Sequence, residues 1–464
     1  MNLARLRGAY RQVAQFHENE QLIGWVQSWK VINRHAPHHR RRVLFYGALI
    51  AGVVGIMNRY APWREYRHLE VWLVPAIAFP SLLGIVYSLY LAAVHFKRLP
   101  AVIRARPQIC LHLMFWALLL VIWFNPDESG ISIAVVTLIA VSFPYLIWRC
   151  GYMLLSGQRG KAARSSFSDH LFYIWPIWDG TNTPPGKGYD NLMRFEAQTS
   201  DAYARSVLSG LKLFLLVLVL MSIMHLIGAL VYGDPKSSLT GLLNGYHLRI
   251  PRLKVIINGN VSVSSIVAWA SLYMELIWET LSLAVKGHVW IGTLRLFGFN
   301  VFRNTYKPLL AESVVEFWNR YYYYFKELMM EFFFLPTYLR HFRDRPALRV
   351  VVAIFAAAFV GNMYYHLIQA KNPLIAADFT ALWQQLGTRL VYCFLLATGI
   401  AVSMLRQQRQ RGTRGAIVTP KNGFHRLLKI AGVWTFFAVI NYWDVPSAVI
   451  IPERARLFIS FIGF

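Results

Sequence analysis

The chain has 464 residues, 56% of them hydrophobic and 15% charged, with 16 tryptophans and a formal net charge of +26. Soluble domains carry closer to ~25% charged residues, and apolar runs near the ~20 residues needed to cross a bilayer recur along the whole chain, which excludes an ordinary soluble globular protein. The excess of bases does not mark a nucleic-acid binder, because the bases gather in alternate short loops as the positive-inside rule requires, and anionic lipid accounts for them better.

Residues 1–42 hold eight Lys/Arg against two acids and end in His38-His39-Arg40-Arg41-Arg42. They read as a basic cytoplasmic segment, with 3–16 (LARLRGAYRQVAQF) suited to an interfacial helix. No apolar core follows Met1, so a signal peptide is not expected. Residues 43–464 read as a multi-pass membrane domain. Clear spans are 71–96, 109–124, 131–148, 207–232, 350–369, 386–405 and 427–443, with shorter or more polar candidates at 43–57, 261–285, 289–301 and 313–335. The expectation is an all-α polytopic protein of roughly ten or eleven transmembrane helices, with interfacial and re-entrant helices besides. Basic clusters at Lys97–Arg106, Arg159–Arg164 and Arg340–Arg349, and a run from Arg406 to Lys429 with seven bases and no acid, are assigned to the cytoplasm. The loop 125–130 has acids and no base. Cys110, Cys150 and Cys393 sit far apart in or beside apolar spans, which suits inert thiols better than a disulfide framework or zinc site.

The longest polar interruption, 156–206, contains GTNTPPGKG. Its spacing is not that of a phosphate-binding loop: five residues separate Gly180 from Gly186, Gly188 stands where Ser/Thr would hold magnesium, and Pro184-Pro185 would break the following helix. A cytoplasmic or re-entrant loop is expected instead. Residues 234–260, with the turn signal Asn258-Gly259-Asn260, form a second connection.

The stretch 261–336 differs in kind. Glu275 and Glu279 interrupt an apolar pattern at i,i+4, on one helix face. From Glu316, in EFWNRYYYYFKELMMEFFFLP, polar positions recur at nearly the helical repeat once Met330 is allowed in the series. This predicts one helix with a polar stripe and an aromatic back, with Glu316 and Arg320 spaced for an ion pair. Acids in a membrane segment normally face a bundle interior or cavity; an interfacial helix with a solvated stripe is the alternative. His95, His112, His225, His288 and His366 lie in or at the edge of spans. His112 and His225 have wholly apolar neighbours, which suits helix–helix hydrogen bonds. His366 has Asn362 four residues back on the same face and Tyr364-Tyr365 adjacent. Such a polar cluster is costly unless packed against protein or substrate, and a neutral buried imidazole is a competent general base.

The block from Leu272 to Met329 resembles the membrane-bound O-acyltransferase family, especially its bacterial alginate-O-acetylase-like branch. RLFGF (Arg295 to Phe299), Asn304, Pro308, Ser313 and EFWNR (Glu316 to Arg320) fall in the family's order, and His366, 44 residues beyond Tyr322, falls where the family keeps a buried histidine. The resemblance covers about 100 residues, 270–368. It departs in two places: the family's Arg-Trp-His reads Arg320-Tyr321-Tyr322, and the Asp-Phe-Ser-Gly segment is missing. The resemblance implies a core at about 207–405 with a tunnel joining the two membrane faces. It carries the catalytic base to His366 and the first-site role to Tyr322. Asn362, Tyr365, Trp318, Arg320, Glu316 and Tyr323 are then expected to bind substrate, with no metal and no bound cofactor.

The function so implied moves an acyl group, acetyl being one option, from a cytoplasmic acyl-CoA or acyl-carrier thioester to a hydroxyl acceptor. The acceptor would be an envelope glycan, lipid-linked intermediate or secondary metabolite. The setting is the bacterial inner membrane, among membrane lipids, with an extracytoplasmic acyltransferase partner and no nucleic acid. The alternative is a non-catalytic or transport-type protein on the same fold that passes acyl groups or scaffolds partners.

Overall fold

The computed structural model describes residues 15–34, 36–60, 70–125, 130–176, 183–234, 237, 239, 241, 246–413 and 423–463. Most of the expected interfacial helix at 3–16, acids of the 125–130 loop and the first residues of GTNTPPGKG lie outside them. Among the described residues the structure is helical, without strands; the one β-type contact is an isolated bridge between Glu196 and Phe299.

Among the described residues, seven helices are long and apolar enough to cross a membrane: Pro37–Arg59, Trp72–Val94, Ile131–Gln158, Ser200–Tyr232, Pro346–Gln369, Phe379–Gln410 and Gly423–Asp444. They mark a multi-pass membrane protein. The count is below the expected ten or eleven for identifiable reasons. Pro107–Trp123 is apolar but only 17 residues long. The segments 261–285 and 289–301 join into one 32-residue helix, Ser265–Leu296, because Lys286, Gly287 and His288 between them do not stop a helix. Its Glu275, Glu279 and Lys286 keep it outside the apolar class. The segment 313–335 is divided at Tyr322.

The chain forms two compact units, Met1–Leu215 with His288–Phe302, and Leu216–Gly287 with Arg303–Phe464. In the first, Ile131–Gln158 is the central helix, buried over most of its length, and Glu70–Val94 and Pro107–Trp123 pack on it. The prolines inside these helices, Pro75, Pro80 and Pro144, are tolerated as in other membrane helices, where neighbours re-satisfy the freed backbone groups. The RLFGF segment acts as a clip. Arg295 donates from Nε to Val301 O at 3.1 Å and from Nη1 to Ser209 Oγ at 2.6 Å, while Ser206 Oγ donates to Arg295 O at 2.8 Å. Phe195–Ala197 is stitched to Gly298–Asn300 by Ala197 N–H to Gly298 O, 2.8 Å, and Asn300 N–H to Phe195 O, 2.9 Å.

In the second unit, Pro346–Gln369, Phe379–Thr413 and Gly423–Asp444 surround a core that includes Phe317, Leu396, Ala397, Phe437 and Ala438. Pro346–Gln369 is not a uniform α-helix. Residues Phe355–Gly361 are π-helical before Asn362–Gln369 resumes the α form. A π turn holds an extra residue, so it rotates the face that follows, and such bulges gather at functional sites. This one pairs with a second π segment, Met330–Phe334. Gly361 permits the approach: a β-carbon there would stand 2.7 Å from ring carbons of Phe333.

Gly361→Val is therefore expected to overpack this contact by about 1–3 kcal/mol and to lower the melting temperature of the detergent-purified protein. Adding Phe333→Leu should recover most of the loss. An unchanged melting temperature for Gly361→Val would show that the two π segments do not bear on each other.

Candidate functional site

The tyrosine run does not form the single helix that its periodicity predicts. Val314–Tyr321 and Tyr323–Met329 are separate helices, and Tyr322 stands between them at φ −137° and ψ 75°. A helix interrupted inside a protein strands N–H and C=O groups that must find partners. Residues 304–306 provide them. Tyr306 N–H donates to Arg320 O at 2.8 Å and the Thr305 hydroxyl to Tyr321 O at 2.9 Å. On the other side of the break, Tyr323 N–H donates to Asn304 O at 2.9 Å and Tyr324 N–H to Asn304 Oδ1 at 3.3 Å. Asn304 and Thr305 are both buried. Gly287 leaves room for this loop, since a β-carbon there would come within 3.0 Å of Asn304 Cβ. The break is thus set by a distant segment, which local periodicity cannot register.

Several residues of the EFWNR block serve the same local architecture. Ser313 caps its helix, Oγ accepting from Glu316 N–H at 3.1 Å. Glu316 accepts from Glu312 N–H through Oε2 at 2.7 Å and pairs with Arg320 through Oε1 at 2.5 Å, the expected i,i+4 pair. Phe317 stacks on Phe437 with centroids 3.7 Å apart. Trp318 meets Phe325 edge-on at 6.1 Å. Tyr323 lies 4.7 Å from Lys326 Nζ, which in turn pairs with Glu327 at 3.1 Å. Ser313 and Glu316 also border a cleft of about 860 Å³ whose polar lining includes Arg406, Gln407, Gln410 and Lys429.

His366 lies in the α-helical turns after the π segment. Asn362, one turn earlier, is buried, and its Oδ1 meets no hydrogen-bond donor among the described residues. The Tyr365 ring stands edge-on to Phe325 at 4.9 Å, and Phe325 lies against Tyr322 at 5.4 Å. Phe325 is therefore the packing link between the tyrosine break and the histidine. The direct polar partner of His366 is Arg389, whose Nη1 is 2.9 Å from His366 Nδ1. Arg389 Nε donates to Asp444 Oδ1 at 2.6 Å, and Nη2 lies 3.5 Å from Asp444 O. Arginine is a donor only and stays protonated. Nδ1 must therefore be the accepting nitrogen, and a neutral His366 carries its proton on Nε2. The pair is not sealed from its surroundings, since the Arg389 side chain keeps 21% and the Asp444 side chain 36% of its surface.

The expected site residues thus divide between two places. His366, Asn362 and Tyr365 gather near Arg389 and Asp444, with Tyr322 and Trp318 joined to them through Phe325. Glu316 lies at the cleft. Arg389 and Arg406 are 17 positions apart on one helix, about 25 Å at 1.5 Å per residue. Asp444 and Lys429 are 15 positions apart on another, about 22 Å. The basic end of the cleft therefore lies far along this helix pair from the histidine, while its apolar lining reaches Leu395 and Phe436, six and eight positions from Arg389 and Asp444. Sequence reasoning missed Arg389, Asp444 and the role of Asn304. A signal for the first was present: Arg389 is the one charged residue within 386–405, and an ionisable group in an apolar span is a functional hypothesis by default. Among the described residues no three His, Cys, Asp or Glu side chains are grouped to hold a metal ion. Comparison of the sequence with protein-family models and with curated proteins returns no match.

Asn304→Ala removes the acceptor for Tyr324 N–H and should destabilise the protein by about 1–3 kcal/mol, read as a lower melting temperature. Asn304→Asp keeps an acceptor oxygen and should retain more of the stability. Equal losses in the two variants would contradict a role for Oδ1 in holding the break.

Proposed function

We propose that this chain is a membrane O-acyltransferase in which His366 is the general base. The observation that carries the reading is the arrangement of His366: an imidazole in a membrane helix, oriented by a charged partner that is itself held by a carboxylate, beside a side-chain pair that keeps exposed surface. In activated nucleophile sites the base is oriented by a further group, and here Arg389, held by Asp444, orients His366. The basic end of the cleft, with Arg406 and Lys429 in its lining, suits the phosphates of an acyl-CoA or acyl-carrier thioester. The donor would approach there from the cytoplasm. By charge counting, the Pro346–Gln369 helix runs outward and His366 lies nearer the outer face. This suits an acceptor hydroxyl on an envelope glycan, a lipid-linked intermediate or a secondary metabolite.

In the reaction, the acceptor's O–H bond breaks as its proton passes to Nδ1 of His366. The oxygen forms a bond to the thioester carbonyl carbon, the C–S bond breaks, and the leaving thiolate takes the proton back from the imidazolium. Tyr322 and Asn362 would orient the reactants or donate to the developing oxyanion. Tyr322 is suited to donation and not to proton abstraction, because a phenol has an ordinary pKa of about 10. The bacterial inner membrane, an N-terminus in the cytoplasm and an extracytoplasmic acyl-handling partner belong to the same proposal. The rival reading, an acyl-passing or scaffolding protein without chemistry, is favoured by one feature: at rest Arg389 already occupies the lone pair that a base needs.

Mass spectrometry of envelope glycans, lipids and secreted metabolites, with and without the protein, should reveal an acyl group present only when it is made. His366→Ala should lose that acylation by at least about a hundredfold, the lower range for general-base catalysis. Full acylation by a folded His366→Ala protein would overturn the assignment. Tyr322→Phe should lower turnover, and unchanged turnover would reduce Tyr322 to packing.

A further inference from the structure

We propose that Arg389 and Asp444 are positioning residues for His366: Arg389 fixes the imidazole as the Nε2–H tautomer with Nδ1 as its base nitrogen, and Asp444 keeps hold of the guanidinium when an acceptor hydroxyl takes its place at Nδ1. The catalytic part of this inference rests on the acyl-transfer reading, and the tautomer part does not. Three helices contribute one residue each: His366 from Asn362–Gln369, Arg389 from Phe379–Thr413 and Asp444 from Gly423–Asp444. Arg389 uses different nitrogens for its two partners, Nη1 for the imidazole and Nε for the carboxylate. The guanidinium is planar and rigid, so Nδ1 is freed when the imidazole turns about its Cβ–Cγ bond, a movement that leaves the Nε contact with Asp444 in place.

The position of Asp444 argues that its carboxylate is there for Arg389. It is the last residue of its helix, where the macrodipole disfavours a negative charge. The carbonyl groups at this helix end are already served by another residue. Arg454, fully buried, donates from Nη1 to Tyr442 O at 3.1 Å and Trp443 O at 3.3 Å, and from Nη2 to Val445 O. Asp444 is thus not needed to finish the helix. What its side chain does is accept from Arg389 at 2.6 Å.

Arg389 also resolves a difficulty in the proposed chemistry. An imidazole left to itself divides its proton between two nitrogens, so any one of them is the base nitrogen only part of the time. A donor-only partner at Nδ1 removes that ambiguity. Displacement of Nη1 by the acceptor O–H then delivers the substrate proton to the one nitrogen able to receive it. Base exposure is coupled to acceptor arrival, and a donor bound alone meets an imidazole whose lone pair is covered.

The test is nitrogen-15 NMR of histidine-labelled full-length protein in detergent or nanodiscs at neutral pH. The His366 signals are identified by their loss in His366→Gln. In the wild type, Nδ1 should resonate as an unprotonated nitrogen and Nε2 as a protonated one. Arg389→Met should give averaged, mixed-tautomer signals, whereas Arg389→Lys, which keeps a donor, should retain the single tautomer. Asp444→Asn, which keeps an acceptor for Nε, should stay closer to wild type than Asp444→Leu. In acylation assays Arg389→Met and Asp444→Leu should lower kcat at least about tenfold with little change in KM for the donor, the pattern of an interaction lost in the transition state. A protonated Nδ1 in the wild type, or a tautomer unchanged by Arg389→Met, overturns the inference. So does full activity in Arg389→Met when His366→Gln is inactive, a result that leaves acyl transfer standing. If the spectra are as expected but no variant, His366→Gln included, changes acylation, the acyl-transfer reading fails and the tautomer assignment stands.

Discussion

A guanidinium placed among apolar side chains must have its donors accepted, and in the second unit that requirement gathers the groups that matter. Arg389 stands within a long apolar stretch of its helix, where leaving a fixed charge without partners would be prohibitive. Its acceptors are an imidazole nitrogen on one neighbouring helix and a carboxylate at the end of another. One side chain thereby sets the tautomer of His366, supplies a reason for the carboxylate at position 444 and joins three helices at the point where chemistry is proposed. The residual exposure of the Arg389 and Asp444 side chains makes the arrangement accessible as well as structural.

A second backbone requirement shapes the approach to it. The interruption at Tyr322 exposes hydrogen-bonding groups on both sides, and Asn304, Thr305 and Tyr306 satisfy them. This gives a physical meaning to the sequence from Arg295 to Arg320. Its residues in the second unit cap a helix, hold a loop and stack an aromatic ring. What they build is a fixed break that turns Phe325 towards both Tyr322 and Tyr365. The functional case rests separately on His366 and its partners.

Much of the architecture was legible in the sequence because hydropathy is a local property. The apolar runs at 71–96, 131–148, 207–232, 350–369, 386–405 and 427–443 each correspond to a helix long enough to span. Errors arose where the deciding interaction was not local. Lys286 and His288 looked like a boundary, yet nothing there breaks a helix and Ser265–Leu296 runs through it. The tyrosine run kept a helical period, but a loop nearly 20 residues earlier supplies the bonds that divide it. Asn362 and His366 could be paired from their spacing alone. Arg389 and Asp444, 23 and 78 positions further on, meet the histidine only through the packing of three helices. The lone charge in an apolar span was the visible clue, and its partners were not.

The central claim is that His366, Arg389 and Asp444 work as one unit in acyl transfer, and a double-mutant cycle on transfer rate tests it most directly. Residues that act through one another are non-additive. Acylation should therefore be no lower in the His366→Gln/Arg389→Met double variant than in His366→Gln alone, although Arg389→Met by itself is impaired. If the two losses multiply instead, with all variants folded, Arg389 acts independently of His366 and the account is contradicted.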